Sequence, residues 1–259
     1  MCREPLAESP IWVWGLPLAP LTFGQVLDKV DALIEERSPS YFITANLHYA
    51  MLTARDKRLT LLNAGAAFVL TDGMPLVWAS RWRTRKLPER VAGSDLVPAL
   101  CERAAERGHR VFLLGGAAGV ADEAARRLLE RFPGLQMVGV AAPDLGSLTD
   151  EERRDLFEQI RAARPDLLFA AFGQPKGELW LAEHAEVLGV PVTVQIGASL
   201  DFVAGRVPRS PRWMQRVGLE WAYRLWREPR RLARRYLSNG LFALRMLARD
   251  ALTQRVWRR

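Results

Sequence analysis

The chain has 259 residues, of which 49% are apolar and 25% are charged, and its formal net charge is +8. This length and composition exclude a disordered chain and suffice for one large domain or a domain with an appendage. The two cysteines, Cys2 and Cys101, form no CxxC pair or Cys/His cluster, which argues against a disulfide framework or a zinc site and favours a reducing compartment. We expect no secretory signal and no membrane-spanning helix, because the N-terminus lacks the signal pattern and no apolar run approaches about 18 residues.

Apolar runs rich in β-branched and aromatic residues alternate with helical patterns as far as Gly205. Strands are predicted at 41–45, 68–71, 111–115, 137–141, 167–173 and 192–197. Helices are predicted around 47–64, after Gly116, and from near Thr149, where three acidic residues suit a first helical turn. This order predicts an α/β fold, namely a Rossmann-like, mostly parallel sheet with helices on both faces.

The composition changes near Gly205. Residues 206–259 contain 15 arginines, no lysine and three acids, so they carry +12 whereas residues 1–205 carry about −4. Two amphipathic helices split at Pro229 are predicted from two apolar stripes, Trp213, Val217, Trp221 and Leu225, then Leu232, Tyr236, Leu241, Leu244, Ala248 and Leu252. We therefore predict a Rossmann-like domain over 1–205 and a basic helical appendage over 206–259.

Polar residues follow several predicted strands, at the edge where ligands of such sheets bind. Asp72 precedes Gly73 and is either a catalytic base or the N-cap of the next helix, and its local sequence favours the cap. Thr44 and Asn46 suit a substrate contact and a helix cap equally well.

Two glycine-containing segments offer backbone N–H groups at strand ends. GGAAG, which includes Gly115 and Gly116, suits a phosphate at a helix N-terminus or a plain tight turn, and its incomplete GxGxxG pattern only weakly favours a dinucleotide. GQPKGE (173–178) is either an anion-binding turn with Lys176 or a simple charged turn. The three histidines receive no role, and the sequence contains no nucleophile elbow and no Asp-x-Asp.

Taken together, these segments resemble the WecG/TagA/CpsF family (glycosyltransferase family 26) over nearly the whole chain. The resemblance is carried by FITANLHYAMLTARD (42–56), VLTDGMPLVWASR (69–81), RVAGSDL (90–96), VFLLGGAAGVADEAARRL (111–128), FGQPKGELW (172–180), QIGASLDFVAG (195–205) and RSPRWMQRVGLEWAYRLWREPRRLARRY (209–236). The last segment is the longest and most specific.

The resemblance implies an inverting, metal-independent transferase that needs no cofactor and moves a sugar from a UDP-sugar to an undecaprenyl-diphosphate-linked acceptor. It implies that Asp72 is the general base, with Thr44 and Asn46 beside it. The substrate-binding residues implied or suggested by position are Arg90, Gly115, Gly116, Gly173, Pro175, Lys176, Glu178, Asp201, Arg209, Arg224 and Arg231. Three departures from the family pattern are Ala45 for proline, Ala92 for threonine and Gly177 for a glutamine considered to lie in the active site.

The resemblance also suggests a role for the basic segment, residues 206–259. Anionic lipid attracts arginines, and tryptophans favour the membrane interface, so residues 206–259 are expected to dock the enzyme peripherally on the inner face of the cytoplasmic membrane. Four of the nine tryptophans lie there: Trp213, Trp221, Trp226 and Trp257.

Two other functions compete with this interpretation. Arginines interleaved with aromatic residues also suit nucleic acid, but that function would leave the strand-end polar residues unused, and we expect no nucleic-acid partner. An NAD-dependent oxidoreductase would rest on the GGAAG turn alone. The sequence does not name the sugar (N-acetylmannosamine, its uronic acid or glucose), the polysaccharide or the oligomeric state, and a homo-oligomer is left open.

Overall fold

A computed structural model describes residues 9–257 of the chain. Its sheet has eight strands, which are, in chain order, β1 (Ile11–Val13), β2 (Leu16–Leu18), β3 (Tyr41–Ala45), β4 (Val69–Thr71), β5 (Arg110–Gly115), β6 (Gln136–Ala141), β7 (Leu167–Ala171) and β8 (Val192–Gln195). The spatial order is β1-β2-β4-β3-β8-β7-β5-β6, and every pair is parallel except the β1–β2 hairpin.

Twelve helices are described within these residues. They are α1 (Phe23–Glu36), α2 (Leu47–Thr53), α3 (Lys57–Gly65), α4 (Met74–Ser80), α5 (Gly93–Arg107), α6 (Val120–Arg131), α7 (Asp150–Ala163), α8 (Lys176–Leu188), α9 (Ser199–Val203), α10 (Arg212–Arg216), α11 (Glu220–Arg227) and α12 (Pro229–Trp257).

The helices cover both faces of the sheet, because both faces of its central strands are apolar. On one face, α1, α5, α6 and α9 pack over the sheet in one core cluster. On the other face, one cluster joins β1 and β2 to α2, α3 and α4, with part of α12 packed against it, and a further cluster contains α7 and α8. This arrangement confirms the predicted Rossmann-like α/β fold.

The six predicted strands are all present, and their bounds differ from the prediction by at most two residues. The helix predicted from near Thr149 begins at Asp150, and the Thr149 hydroxyl accepts from the N–H of Glu152 in a capping box. The hairpin over residues 11–18 and helices α1 and α5 were not predicted. The hairpin strands have only three residues each, which is too short for an alternating pattern to show.

The prediction of two helices after Gly205 is wrong in number, although the break at Pro229 is confirmed. Three helices are present, because the chain turns at Gly218, whose φ of 76° favours glycine, between α10 and α11. The residues of the second predicted stripe do not all face the protein interior. Leu232 is buried, whereas Leu241 and Leu244 are exposed.

The inward face of helix α12 is tied to the sheet and to the helices that cover it. Asp250 is buried, accepts from Trp14 Nε1 at 3.0 Å and pairs with Arg83 at 2.9 Å. Asn239 is also buried and lies 3.0 Å from Nδ1 of His48. Among the helices of residues 9–257, none has both the length and the apolar character needed to cross a membrane.

Candidate active site

The carboxyl ends of β3 and β4 bring three of the predicted site residues together. The N–H of Asp72 donates to the carbonyl of Ala45 at 2.8 Å, and Gly73 packs against the backbone of Asn46. The Thr44 hydroxyl donates to the carbonyl of Gln195 at the end of β8, at 3.0 Å. Asp72, Thr44 and Asn46 therefore share one edge of the sheet, which we call the carboxyl-end edge.

The structure shows which of Asp72 and Asn46 caps a helix at this edge. Helix α4 has Gly73 as its N-cap, so Asp72 does not occupy the cap position that its local sequence favours. Asn46 is the N-cap of α2, and its side chain accepts from the N–H of Tyr49 at 3.1 Å. Asn46 therefore has a structural role that does not prevent its free amide N–H groups from contacting a substrate.

Although Asp72 directly precedes the N-cap of α4, its carboxylate interacts with the N-terminus of α5. A backbone hydrogen bond from Gly93, the first residue of α5, favours its charged form, as do the positive charges of Arg90 and Arg224. Burial acts more strongly in the opposite direction and, together with the charge of Glu220, raises the pKa of Asp72 to about 7. A carboxylate with this pKa is suited to accept a proton near neutral pH.

Arg90 connects the carboxyl-end edge to the C-terminal helices. The N–H of Val91 donates to the carbonyl of Thr71 at 2.8 Å, which places Arg90 beside β4. Its guanidinium pairs with Glu220 at 3.1 Å and lies 3.8 Å from Asp95. A cation is therefore held close to Asp72, where an anionic leaving group could be stabilised.

Three arginines after Gly205 point toward this region. Arg209 pairs with Asp95, and Arg224 lies over the ring of Phe202 at 5.4 Å. Buried N–H groups of Arg209, Arg224 and Arg235 have no hydrogen-bond partner among the described residues. These N–H groups are available to an anionic ligand, whose binding would offset the free-energy cost of leaving buried donors unpaired.

Arg231 differs from these three arginines. Its side chain is exposed and pairs with Glu228 at 2.6 Å, within the same stretch of chain. Arg235, which was not predicted, is half-buried, and its charge acts on Glu178 and His48. Arg235 therefore lies closer to buried groups of the site region than Arg231 does.

The segment from Gly173 to Glu178 turns from β7 into α8. Gly173 has a φ of 75°, Pro175 is the N-cap of α8, and the Gln174–Pro175 peptide is cis. Lys176 is exposed and lies 3.7 Å from Asp144, so its charge is directed toward a neighbouring loop. The amide of Gln174 reaches the carbonyl of Thr44 at 3.5 Å, and it links this turn to the carboxyl-end edge.

Glu178 is buried, with a 2% exposed fraction, at the start of α8. Burial raises its pKa to about 7, although its own backbone N–H, Gln174 and the charge of Arg235 act in the opposite direction. Neither carboxylate oxygen has a hydrogen-bond partner of normal geometry among the described residues. Glu178 is therefore a second carboxyl group in this region whose protonation changes near neutral pH.

The remaining predicted residues lie farther along the carboxyl-end edge. Gly115 and Gly116 have φ values of 94° and 87°, and the N–H of Gly116 donates to the carbonyl of Ala171 at 2.9 Å. The turn ends at Gly119, the N-cap of α6, whose first turn carries two acidic residues that weaken its attraction for phosphate. Asp201 is half-buried in the first turn of α9.

The structure explains why residue 177 is a glycine. A Cβ atom at this residue would lie 2.4 Å from Nε2 of Gln195, whose side chain is 1% exposed. The carboxamide of Gln195 thus occupies the space into which a longer residue 177 would extend. Its Oε1 accepts from the N–H of Phe172 at 3.3 Å, while its Nε2 has no partner among the described residues.

We expect Gly177→Ala to lower the free energy of unfolding by about 1–3 kcal/mol, since the new methyl group collides with a buried carboxamide. Gly24→Ala is the matched control, because Gly24 is also the second residue of its helix but has open space around it. Thermal and urea unfolding of both variants measure the difference. Equal stability of Gly177→Ala and the unmodified protein would contradict this packing.

Glu220, Gln195 and Arg235 are the residues of this region that the sequence did not single out. Each reaches it through tertiary contacts: Glu220 through Arg90, Gln195 through Gly177, and Arg235 through Glu178. Glu220 did carry a signal, because it is one of only three acids among the 15 arginines of residues 206–259.

Comparison with known proteins gives a matching family and two named relatives. The family described as "Glycosyl transferase WecG/TagA/CpsF family" matches residues 11–256. A Bacillus spizizenii protein named N-acetylglucosaminyldiphosphoundecaprenol N-acetyl-beta-D-mannosaminyltransferase is 32% identical over 217 residues, which cover 84% of this chain and 82% of that protein. A Bacillus subtilis (strain 168) protein of the same name is 29% identical with the same coverage. The chain is therefore a glycosyltransferase that belongs to the WecG/TagA/CpsF family.

Proposed function

We propose that this enzyme transfers an N-acetylmannosamine-type sugar from a UDP-sugar to an undecaprenyl-diphosphate-linked acceptor, with inversion and without a metal ion, in cell-surface polysaccharide synthesis. The names of the two relatives support this sugar over its uronic acid or glucose, and support an acceptor that carries N-acetylglucosamine diphosphate on undecaprenol. The observation that carries the proposal is Asp72, with its pKa near 7, next to the cation of Arg90.

In the proposed reaction Asp72 is the general base. Its carboxylate takes the proton from an acceptor hydroxyl while that oxygen forms a bond to the anomeric carbon. The bond between the anomeric carbon and the donor phosphate breaks, and the nucleoside diphosphate leaves with the electron pair. Attack from the face opposite the leaving group inverts the anomeric configuration.

The departing diphosphate requires positive charge or N–H donors. Arg90, Arg209 and Arg224 are the proposed sources, and the inward-facing Arg235 is added to them because its buried Nε has no partner among the described residues. We retain Thr44 and Asn46 as proposed substrate contacts. Within residues 9–257 no three His, Cys, Asp or Glu side chains are grouped so that they could hold a metal ion.

A donor panel tests this proposal. Binding of UDP- and GDP-sugars is measured with and without EDTA, followed by transfer to a short-chain lipid-diphosphate N-acetylglucosamine acceptor. We expect UDP-selective binding that survives EDTA and, by NMR, a β-linked product from an α-linked donor. Loss of transfer with EDTA that added Mg²⁺ restores would contradict metal independence, and a retained anomeric configuration would contradict inversion.

We also propose that residues 206–259 act as an appendage that docks the enzyme on the inner face of the cytoplasmic membrane. The outward face of α12 carries an exposed stripe of four leucines, which is flanked by exposed arginines: Leu237, Leu241, Leu244 and Leu252, with Arg230, Arg234, Arg245 and Arg249. A helix with this pattern suits the interface of an anionic bilayer, where arginines meet headgroups and leucines reach the acyl chains.

Replacement of Leu237, Leu241 and Leu244 by glutamine is expected to lower binding to phosphatidylglycerol-containing vesicles at least about tenfold, because three exposed apolar side chains leave the lipid interface. Vesicle co-sedimentation measures this change. The control replaces Leu129 and Val187, which are exposed on α6 and α8. Unchanged vesicle binding, with a change of oligomeric mass in light scattering, would instead identify the stripe as an interface between copies of the chain.

A further inference from the structure

Exposed aromatic and basic side chains also occur on α4 and the residues that follow it, within the sheet domain. Trp78 and Trp82 are 41% and 42% exposed and lie four residues apart. Arg81, Arg85 and Lys86 are exposed in the same segment. Tryptophan and basic residues together are characteristic of protein surfaces that contact the membrane interface.

This segment adjoins the C-terminal helices at two points. A Cβ atom at Gly218 would lie 3.1 Å from Cζ2 of Trp78, so Trp78 contacts the turn between α10 and α11. Farther along, Arg83 pairs with Asp250 of α12 at 2.9 Å. The exposed side chains of α4 therefore continue into those next to Gly218, and we call this joint surface the aromatic rim: Trp78, Trp82, Trp213, Val217 and Leu219.

The aromatic rim borders an open cavity of about 470 Å³ between α4 and α10. Arg90 and Arg212 line the cavity, as does Met74, which lies one helical turn before Trp78. Trp213 directly follows Arg212. The rim thus borders an opening that leads toward Arg90 and the carboxyl-end edge.

We propose that the aromatic rim is a second lipid-contacting surface, contributed in part by the sheet domain, which holds the cavity opening against an anionic bilayer. This inference rests on the proposed membrane docking and adds a second contact to that of α12. Two separate contacts restrict rotation of the enzyme on the membrane, whereas a single helix leaves the molecule free to turn about its axis.

The charge of this surface favours a bilayer over a second copy of the chain. Arg81, Arg85, Lys86 and Arg212 are exposed beside the rim. The two acids that line the cavity already have partners, since Glu89 accepts from the N–H of Phe23 and Asp95 pairs with Arg209. Two such surfaces facing each other would repel, whereas anionic headgroups would complement both.

The test compares Trp78→Ala/Trp82→Ala with the unmodified full-length enzyme and with the control Leu129→Ala/Val187→Ala. Partitioning into vesicles of phosphatidylcholine and phosphatidylglycerol is measured by co-sedimentation at several salt concentrations. We expect the tryptophan variant to partition about tenfold less, since both indoles leave the interface. The control should partition as the unmodified enzyme does. Because Trp78 also packs against the turn at Gly218, thermal unfolding is used to show that each variant is folded at the assay temperature.

Transfer activity provides a second readout. With a water-soluble short-chain acceptor, the tryptophan variant should be as active as the unmodified enzyme, and with a long-chain acceptor in vesicles it should be slower. Equal partitioning of the tryptophan variant and the unmodified enzyme would contradict lipid contact by the aromatic rim, but not docking through α12. If the unmodified enzyme does not bind vesicles, the membrane docking itself fails. A changed oligomeric mass with unchanged partitioning would assign the rim to a protein interface and overturn the inference.

Discussion

Asp72→Asn is expected to lower kcat by about 10²–10⁴-fold, because the amide cannot accept the proton of the acceptor hydroxyl. The melting temperature should not fall, since burial already opposes ionisation of this side chain and the neutral amide avoids that cost. Steady-state transfer to the short-chain acceptor and thermal unfolding measure the two effects. Asp155→Asn, on the exposed face of α7, is the control and should retain full activity.

The pH dependence of kcat/KM provides a second test of Asp72 as the base. The base acts when it is deprotonated, so kcat/KM should decrease as the pH falls through about 7. Glu178 also has a pKa of about 7, and therefore Glu178→Gln must be measured in parallel. If the acidic limb of the profile persists in Glu178→Gln, it belongs to Asp72. Unchanged turnover in Asp72→Asn would rule out Asp72 as the base.

The second large effect is predicted for Arg90. Arg90→Ala should lower kcat/KM by about 10²–10³-fold, since a cation beside the departing diphosphate is lost. It should also move the acidic limb of the pH profile upward, because the charge of Arg90 lowers the pKa of Asp72. The measurement is the pH dependence of kcat/KM in the variant and the unmodified enzyme.

Glu220→Gln provides a control of opposite sign. Glu220 raises the pKa of Asp72, so its neutralisation should move the acidic limb downward while Arg90 remains in place. Shifts in the same direction for Arg90→Ala and Glu220→Gln would contradict the proposed electrostatic coupling. A normal pH profile and normal kcat/KM in Arg90→Ala would remove Arg90 from the proposed site.

The parallel strands were predictable because they are buried on both faces and therefore form continuous apolar runs, as in 111–115 and 167–171. The hairpin of β1 and β2 was not, because two strands of three residues lack a measurable period. The division of α12 into inward and outward leucines also required the structure, since periodicity identifies an apolar stripe but not the surface that covers it.

The site was predictable where its residues end strands. Thr44, Asn46 and Asp72 meet because β3 and β4 are parallel neighbours, and the position of each residue at a strand end follows from sequence. The resemblance placed Arg90 and Arg224 in the site, but it did not predict that Gly93 and Glu220 also act on Asp72. Such contacts depend on how distant segments pack, which one sequence does not specify.

The pairing of Arg90 with Glu220 has a consequence for how this enzyme can change over generations. The pKa of Asp72, the proposed base, is raised by a carboxylate in α11, a helix far along the chain from Asp72. A substitution at residue 220 can therefore move the working pH range and leave unaltered every group proposed to touch the sugar. Under the proposed mechanism, the C-terminal helices would therefore allow a change of working pH range that requires no change in the proposed sugar-contacting residues.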